Sequence, residues 1–223
     1  MRYPDTATAV FLDRPNRFIA HVDLLGTEKT VHVKNTGRCR ELLIPGRQVI
    51  LSRSGNPSRK TEYDLIAVNK TGLGWVNIDS QAPNTVVKEW LEKGPSLFPG
   101  ISGLKPEYTY GRSRVDFFFR YGSKKVLMEV KGCTLEVNGT GYFPDAPTER
   151  GVKHLNELAG AVREGYECYL AFVIAMPGIK TVLPNTDTHP EFGTALDAAV
   201  KAGVHVLYLP CRVEPDILEV EYV

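Results

Sequence analysis

The stretch Arg114-Val-Asp-Phe-Phe-Phe-Arg-Tyr-Gly-Ser-Lys-Lys-Val-Leu-Met-Glu-Val-Lys131 decides how the rest of the chain is read. Two runs of alternating β-branched and aromatic residues flank Gly122-Ser123, a pair suited to a tight turn because glycine accepts positive φ at no steric cost. With that pair as the loop, Tyr121 faces Lys124, Phe118 faces Leu127 and Asp116 faces Glu129. Side chains alternate along a strand, so Val115, Phe117, Phe119, Val126, Met128 and Val130 form one apolar face directed at a core. The other face carries Arg114, Asp116, Glu129 and Lys131. Two carboxylates then come within about 5 Å at Cβ, which destabilises a sheet unless something positive sits between them. A divalent cation bound by hard oxygen ligands, in the manner of Mg²⁺, is one answer. The other is a solvated face on which Asp116 pairs with Arg114 or Lys131, and Glu129 with Lys125.

Around this hairpin, 223 residues allow one large or two small domains. The N-terminus has no apolar signal core, and the longest apolar run, 168–176, is too short to cross a bilayer and stops at Pro177. A cytoplasmic protein without a membrane partner is expected. Cys39, Cys133, Cys168 and Cys211 lie far apart with no Cys-x-x-Cys pair, which argues against a zinc knuckle or a disulfide framework. The net charge is +1, but it is uneven: residues 1–80 hold 12 Lys+Arg against 8 Asp+Glu, and residues 81–223 hold 15 against 18. Affinity for phosphate is therefore expected in the first part.

That first part, 1–82, reads as a small all-β module. Strand candidates are 17–25, with Phe18, Ala20, Val22 and Leu24 on one face, then 30–34, 48–52, 63–68 and 75–78, separated by turn-rich segments. Five short strands suggest an OB-like barrel. Its loops carry candidate phosphate contacts: Arg14, Arg17, Lys34, Asn35, Arg38, Arg40, Arg53, Arg59 and Lys60. No aromatic interleaving suited to stacking single-stranded bases is evident, so no strong preference for single strands is expected. The linker Asn77-Ile-Asp-Ser-Gln-Ala-Pro-Asn84 is read as turn chemistry.

The second part, 83–223, reads as a mixed sheet flanked by helices, giving a two-domain protein of α+β and α/β character. A helix is expected over 86–92 and a strand over 105–110 carrying Glu107, a third carboxylate or a rim salt bridge. Thr148 is placed to cap a helix beginning at Glu149, with Glu149 favourable to the dipole. Val152, Leu155, Ala159 and Val162 would form its buried stripe. Arg150, His154 and Glu157 would share the opposite side, where a cation and an imidazole could approach the carboxylates. Residues 169–175 form a continuous apolar strand of the kind buried on both faces among parallel neighbours. A helix over 190–202 and a final strand over 204–209 complete the pattern.

A strand aspartate, a hairpin, Glu-x-Lys and a helix against the sheet resemble the PD-(D/E)xK nuclease superfamily, with Asp116, Glu129, Lys131 and upstream Glu107 in the matching positions. The chain is more closely similar to the sugar fermentation stimulation protein A family. Lys34-Asn-Thr-Gly-Arg-Cys-Arg-Glu-Leu-Leu43, Asn77 to Asn84, Ser113-Arg-Val-Asp-Phe117, Met128-Glu-Val-Lys-Gly-Cys-Thr-Leu-Glu136 and Phe143-Pro-Asp-Ala-Pro-Thr-Glu-Arg-Gly-Val-Lys-His-Leu155 carry that likeness. It departs at Lys34, where the family more often has proline. The resemblance implies an oligonucleotide-binding fold, then a nuclease-like domain, and DNA binding of low sequence specificity. It supports binding more firmly than cleavage.

On this reading Asp116, Glu129 and the backbone carbonyl of Val130 hold Mg²⁺ or Mn²⁺, Lys131 and Glu107 assist, and Arg114, Glu149, Arg150 and His154 contact phosphate or support the ligands. A homodimer is one arrangement that would cut both strands. The alternative is a non-catalytic DNA-binding regulator of sugar metabolism genes. A carbohydrate-binding module is a third reading, but it leaves the second domain unexplained.

Overall fold

The computed structural model describes residues 1–221 except Thr36, Pro57 and Arg112. The first module is built from β1 (Thr6–Asp13), β2 (Ile19–Leu24), β3 (Thr27–Val33), β4 (Gln48–Arg53) and β5 (Tyr63–Lys70). They run in the order β3-β2-β1-β4-β5, and a parallel pairing of β3 with β5 through His32/Asp64 and Val33/Leu65 closes the circuit. This is a closed five-stranded barrel. Its fifth strand is not the expected 75–78. That segment is β6 (Gly74–Asn77), an antiparallel extension of β5, while β1 takes the place in the ring. β1 was not anticipated because Thr6-Ala-Thr-Ala shows little hydrophobic contrast; only Ala9 and Phe11 of the strand are buried.

Helix α1 (Ala82–Glu92) follows, beginning four residues earlier than the expected 86. Gln81 provides no side-chain cap, and the start is marked only by Pro83 in the first turn, where a missing N–H costs nothing. The second sheet contains β7 (Ser102–Tyr110), β8 (Ser113–Tyr121), β9 (Lys124–Cys133), β12 (Glu167–Ile174), β14 (His205–Glu214) and β15 (Ile217–Val220). Its order is β15-β14-β12-β9-β8-β7. β12 is parallel to both β9 and β14 and buried along nearly its whole length, as its unbroken apolar sequence requires. The expected final strand is not final, because β14 continues to Glu214 and turns into β15. β10 (Leu135–Val137), β11 (Thr140–Phe143) and β13 (Val182–Pro184) form a small third sheet.

α1 covers one face of the second sheet, and α2 (Glu149–Arg163) with α3 (Pro190–Lys201) covers the other. Among the described residues, no helix is long and apolar enough to cross a membrane. The barrel interior is continuous with the core beneath α2 and α3, so the two modules share buried apolar surface. Lys70 of β5 reaches Glu136 of β10 at 2.5 Å, and the Asn77 N–H donates to the Ala175 carbonyl at 2.9 Å. The chain's first three residues join the second sheet: Tyr3 N–H donates to Asp216 O, and Arg2 bridges to Ile217.

Candidate functional site

The β8–β9 hairpin has the register its turn dictates, with Tyr121 paired to Lys124, Phe118 to Leu127 and Phe117 to Met128. There the ladder ends. One residue further along, Asp116 Oδ2 accepts the Val130 backbone N–H at 2.7 Å, so a side chain takes the place of a strand partner. On the other flank, β7 pairs Pro106 with Phe117 and Tyr108 with Val115, leaving Glu107 across from Asp116. Glu107 has φ +51°, a left-handed conformation that disfavours side chains and interrupts the strand. β8 thus changes its facing at Asp116. Val115, expected beside Phe117, instead joins Phe118 and Leu127 in the core under α2, while Phe117, Phe119, Val126, Met128 and Val130 pack toward α1.

The face bearing the carboxylates is therefore not the solvated surface of the alternative reading. Glu129 is only 3% exposed, and Lys131 Nζ donates to its Oε1 at 2.7 Å. His154 Nδ1 donates to the same oxygen in a very close contact, and Arg150 Nε donates to His154 Nε2 at 3.3 Å. These two bonds assign the imidazole as the Nδ1–H tautomer. His154 was expected opposite the buried stripe of α2. The helix is rotated so that Gly151, His154, Leu155, Leu158 and Ala161 are the buried residues, and Val152, Ala159 and Val162 lie only at the margin. The expected cap holds: Thr148 Oγ1 accepts the Gly151 N–H at 3.0 Å.

Asp116 Oδ1 accepts from Asn84 Nδ2 at 2.8 Å. Asn84 stands in the first turns of α1 and was read from sequence as linker chemistry; only the docking of α1 brings it to Asp116. Burial raises the Asp116 pKa above the ordinary carboxylate value, and the neighbouring Glu129 charge raises it further. Burial also opposes ionisation of Glu129, but the bonds from His154 and Lys131 outweigh it and hold that carboxyl below its ordinary value. The pair is thus one carboxylate bonded directly by the Lys131 ammonium and the His154 N–H, beside another whose own hydrogen bonds come only from neutral donors and for which burial and the Glu129 charge outweigh the more distant Lys131. Hard oxygen ligands in such a pair fit a divalent cation, with Asp116, Glu129 and the Val130 carbonyl as the holding groups. No three His, Cys, Asp or Glu side chains converge in a metal-binding group among the described residues. Glu107 stays outside the pair, exposed, with its carboxylate 3.9 Å from Arg114. Arg114, Glu149, Arg150 and His154 line one open depression together with Ser113 and Lys153.

The candidate phosphate contacts of the barrel separate into two groups. Arg14 is occupied within the fold: its guanidinium donates to the carbonyls of Arg17, Asn35, Gly37 and Arg38 at 2.7–3.0 Å and clamps the turn to the loop. Lys34 pairs with Asp79 at 3.2 Å, and the Asn35 side chain bonds the Ile78 carbonyl and the Gly37 N–H. Arg53 pairs with Glu62, and Arg59 with Asp64 at 2.7 Å. Arg17, Arg38, Arg40 and Lys60 are exposed, and their side chains make no hydrogen bond or ion pair among the described residues. Arg17, Arg38 and Arg40 line a single groove on the barrel. Its loop is seated against the segment that leads into α2: a Cβ at Gly37 would collide with Asp145 Oδ2.

Residues 12–78 match the family model described as the SfsA N-terminal OB domain, and residues 81–217 match the sugar fermentation stimulation protein RE domain. A sugar fermentation stimulation protein homolog from Ruminiclostridium cellulolyticum is 50% identical over 99% of this chain and 97% of its own. Another, from Desulfitobacterium hafniense, is 52% identical over 98% of this chain and 95% of its own. The solved structure of Pyrococcus furiosus SfsA in complex with Ca²⁺ superposes with a TM-score of 0.85 at 27% identity, covering 99% of this chain and 96% of that one.

Proposed function

We propose that this chain, which belongs to the sugar fermentation stimulation protein family, binds DNA through its barrel and carries a divalent-metal-dependent phosphodiesterase site in its second module. The observation that carries the reading is the end of the β8–β9 ladder, where Asp116 captures the Val130 N–H and is left beside buried Glu129. An ordinary sheet would continue its backbone pairing there. The Ca²⁺ in the relative's structure supports a preference for hard divalent cations, and Mg²⁺ or Mn²⁺ suits the same oxygen ligands. Such an ion would supply Lewis acidity toward a phosphodiester.

The chain's own groups do the positioning. Asn84 fixes Asp116, and His154 fixes Glu129 while Arg150 fixes the His154 tautomer. Lys131 carries a positive charge beside the carboxylates, suited to negative charge developing on phosphate. Arg114, Arg150 and Lys153 line the approach, and Arg17, Arg38 and Arg40 line a separate basic groove on the barrel. Contacts of this kind track the backbone without reading sequence, and their affinity falls steeply with salt.

The test pairs wild type with Glu129→Ala, measuring DNA mobility shift and cleavage of duplex, single-stranded and branched DNA with Mg²⁺ or Mn²⁺. Cleavage that requires metal and disappears in the variant, with binding intact, is expected. Binding without cleavage of any substrate by wild type would instead support a non-catalytic regulator.

A further inference from the structure

Where the barrel meets the second module there is a cavity of about 120 Å³, room for one aromatic ring. Ile78, Pro83 and Phe143 give it apolar walls, and the Phe143 ring is braced edge-to-face by Phe192 at 5.1 Å. Most of its polar lining is already engaged. Asn35 bonds the Ile78 carbonyl and the Gly37 N–H, Asn77 bonds the Tyr3 hydroxyl and the Asp79 N–H, and Ser80 donates to the Lys34 carbonyl at 2.6 Å. Asp79 accepts from Tyr3, Lys34 and the Gln81 N–H.

Three lining groups are left over. The Thr134 and Tyr142 hydroxyls make no hydrogen bond among the described residues, and no described side chain donates to the Asp145 carboxylate. Its own backbone N–H and that of Ala146 approach it, and Arg14 and Arg38 act on it only through their charge. Burial outweighs all of these and raises its pKa.

The cavity borders both regions already described. Gly132 on its wall follows Lys131 in β9, and Pro83 precedes Asn84, whose amide holds Asp116. A Cβ at Gly132 would collide with Pro83 Cγ, so these two segments touch. On the opposite side, Gly37 of the arginine groove packs on Asp145 Oδ2 too closely to admit a side chain. A strand running from the groove to the carboxylate pair therefore passes the cavity.

We infer that this cavity takes one nucleobase turned out of its strand, and that guanine fits it best. This rests on the proposed nucleic-acid binding and narrows what that binding recognises. A carboxylate offers acceptors only, and guanine alone among the four DNA bases presents two neighbouring N–H donors, at N1 and N2, on its Watson–Crick edge. The Thr134 and Tyr142 hydroxyls can donate to guanine O6. On adenine, cytosine and thymine an acceptor stands beside the donor and would face the carboxylate. The apolar walls meet the faces of the ring.

The experiment measures fluorescence anisotropy of the full chain, without added metal, on labelled oligo-dT, the same strand with one central dG, and the same strand with deoxyinosine at that place. The proteins are wild type, Asp145→Asn and Thr134→Val. Wild type should bind the dG strand about tenfold more tightly than oligo-dT, with deoxyinosine, which lacks the 2-amino group, falling between. Asp145→Asn should bring the dG and dT affinities within about twofold of each other and leave oligo-dT binding unchanged. Its melting temperature should not fall, because burial opposes the charge that it removes. Thr134→Val should cut the dG preference about threefold, the loss of one hydrogen bond. Equal affinity of wild type for the dG and dT strands, or an undiminished dG preference in Asp145→Asn, overturns the base pocket while leaving nucleic-acid binding in place. If wild type binds none of the strands, the inference and the binding reading fall together.

Discussion

Asp64 and Asp116 are both strand aspartates largely withdrawn from solvent, and their surroundings act on them in opposite directions. Asp64 on β5 accepts from Arg59 at 2.7 and 3.0 Å and from His32 at 2.9 Å, with Lys34 3.9 Å away. Burial opposes its charge, but the Arg59 and His32 bonds prevail and its pKa is lowered. Asp116 accepts only the Val130 N–H and the Asn84 amide, with an ionised glutamate as neighbour, and its pKa is raised. A carboxylate surrounded by cations holds a fold together. One placed beside another acid stores a deficit of positive charge that a bound cation can remove.

The sharpest way to break that contrast is to neutralise each aspartate. Asp116→Asn should lower metal-dependent cleavage by at least about a hundredfold, measured as single-turnover rates. It should also raise stability at neutral pH, because a group whose folded pKa is raised costs stability once ionised. Asp64→Asn should do the reverse. Weakening the Arg59, His32 and Lys34 contacts should cost about 1–3 kcal/mol by urea denaturation and leave cation binding unchanged. The sign with pH follows from the lowered pKa. The Asp64 contribution is fully present above the unfolded value of about 3.9 and is lost as pH falls through the folded value. The stability gap between wild type and Asp64→Asn should therefore shrink below about pH 4, and a gap unchanged at pH 3 would contradict the ion-pair assignment. The smallest stability effect belongs to the unpaired arginines. Arg38→Gln and Arg40→Gln should each shift stability by less than about 0.5 kcal/mol, yet lower the salt slope of DNA binding by about one.

Much of this contrast is absent from local sequence. The Gly122-Ser123 turn was sufficient to set the β8–β9 register, and the unbroken apolar run of β12 to place it between parallel strands, because both follow from neighbours in the chain. Thr148 and Glu149 likewise announced the start of α2. The distortion at Asp116 was not legible, since it arises where Glu107 adopts positive φ on a strand met only in the folded sheet. Asn84 reaches Asp116 through helix docking, and His154 turns inward because of how α2 seats on β12, a matter of rotation that apolar periodicity alone placed wrongly. In the barrel, counting arginines could not separate those that meet carboxylates and carbonyls from those left unpaired. Asp64, which gathers Arg59, Lys34 and His32, lies distant in sequence from two of its three partners.

The most direct test is thermal melting of wild type and Asp116→Asn with and without Mn²⁺ at neutral pH. Wild type should gain stability with Mn²⁺, while Asp116→Asn should melt higher than wild type in its absence and gain nothing on addition. A wild type indifferent to Mn²⁺, or an Asp116→Asn variant that gains as much as wild type, would contradict the claim that this carboxylate pair holds a cation.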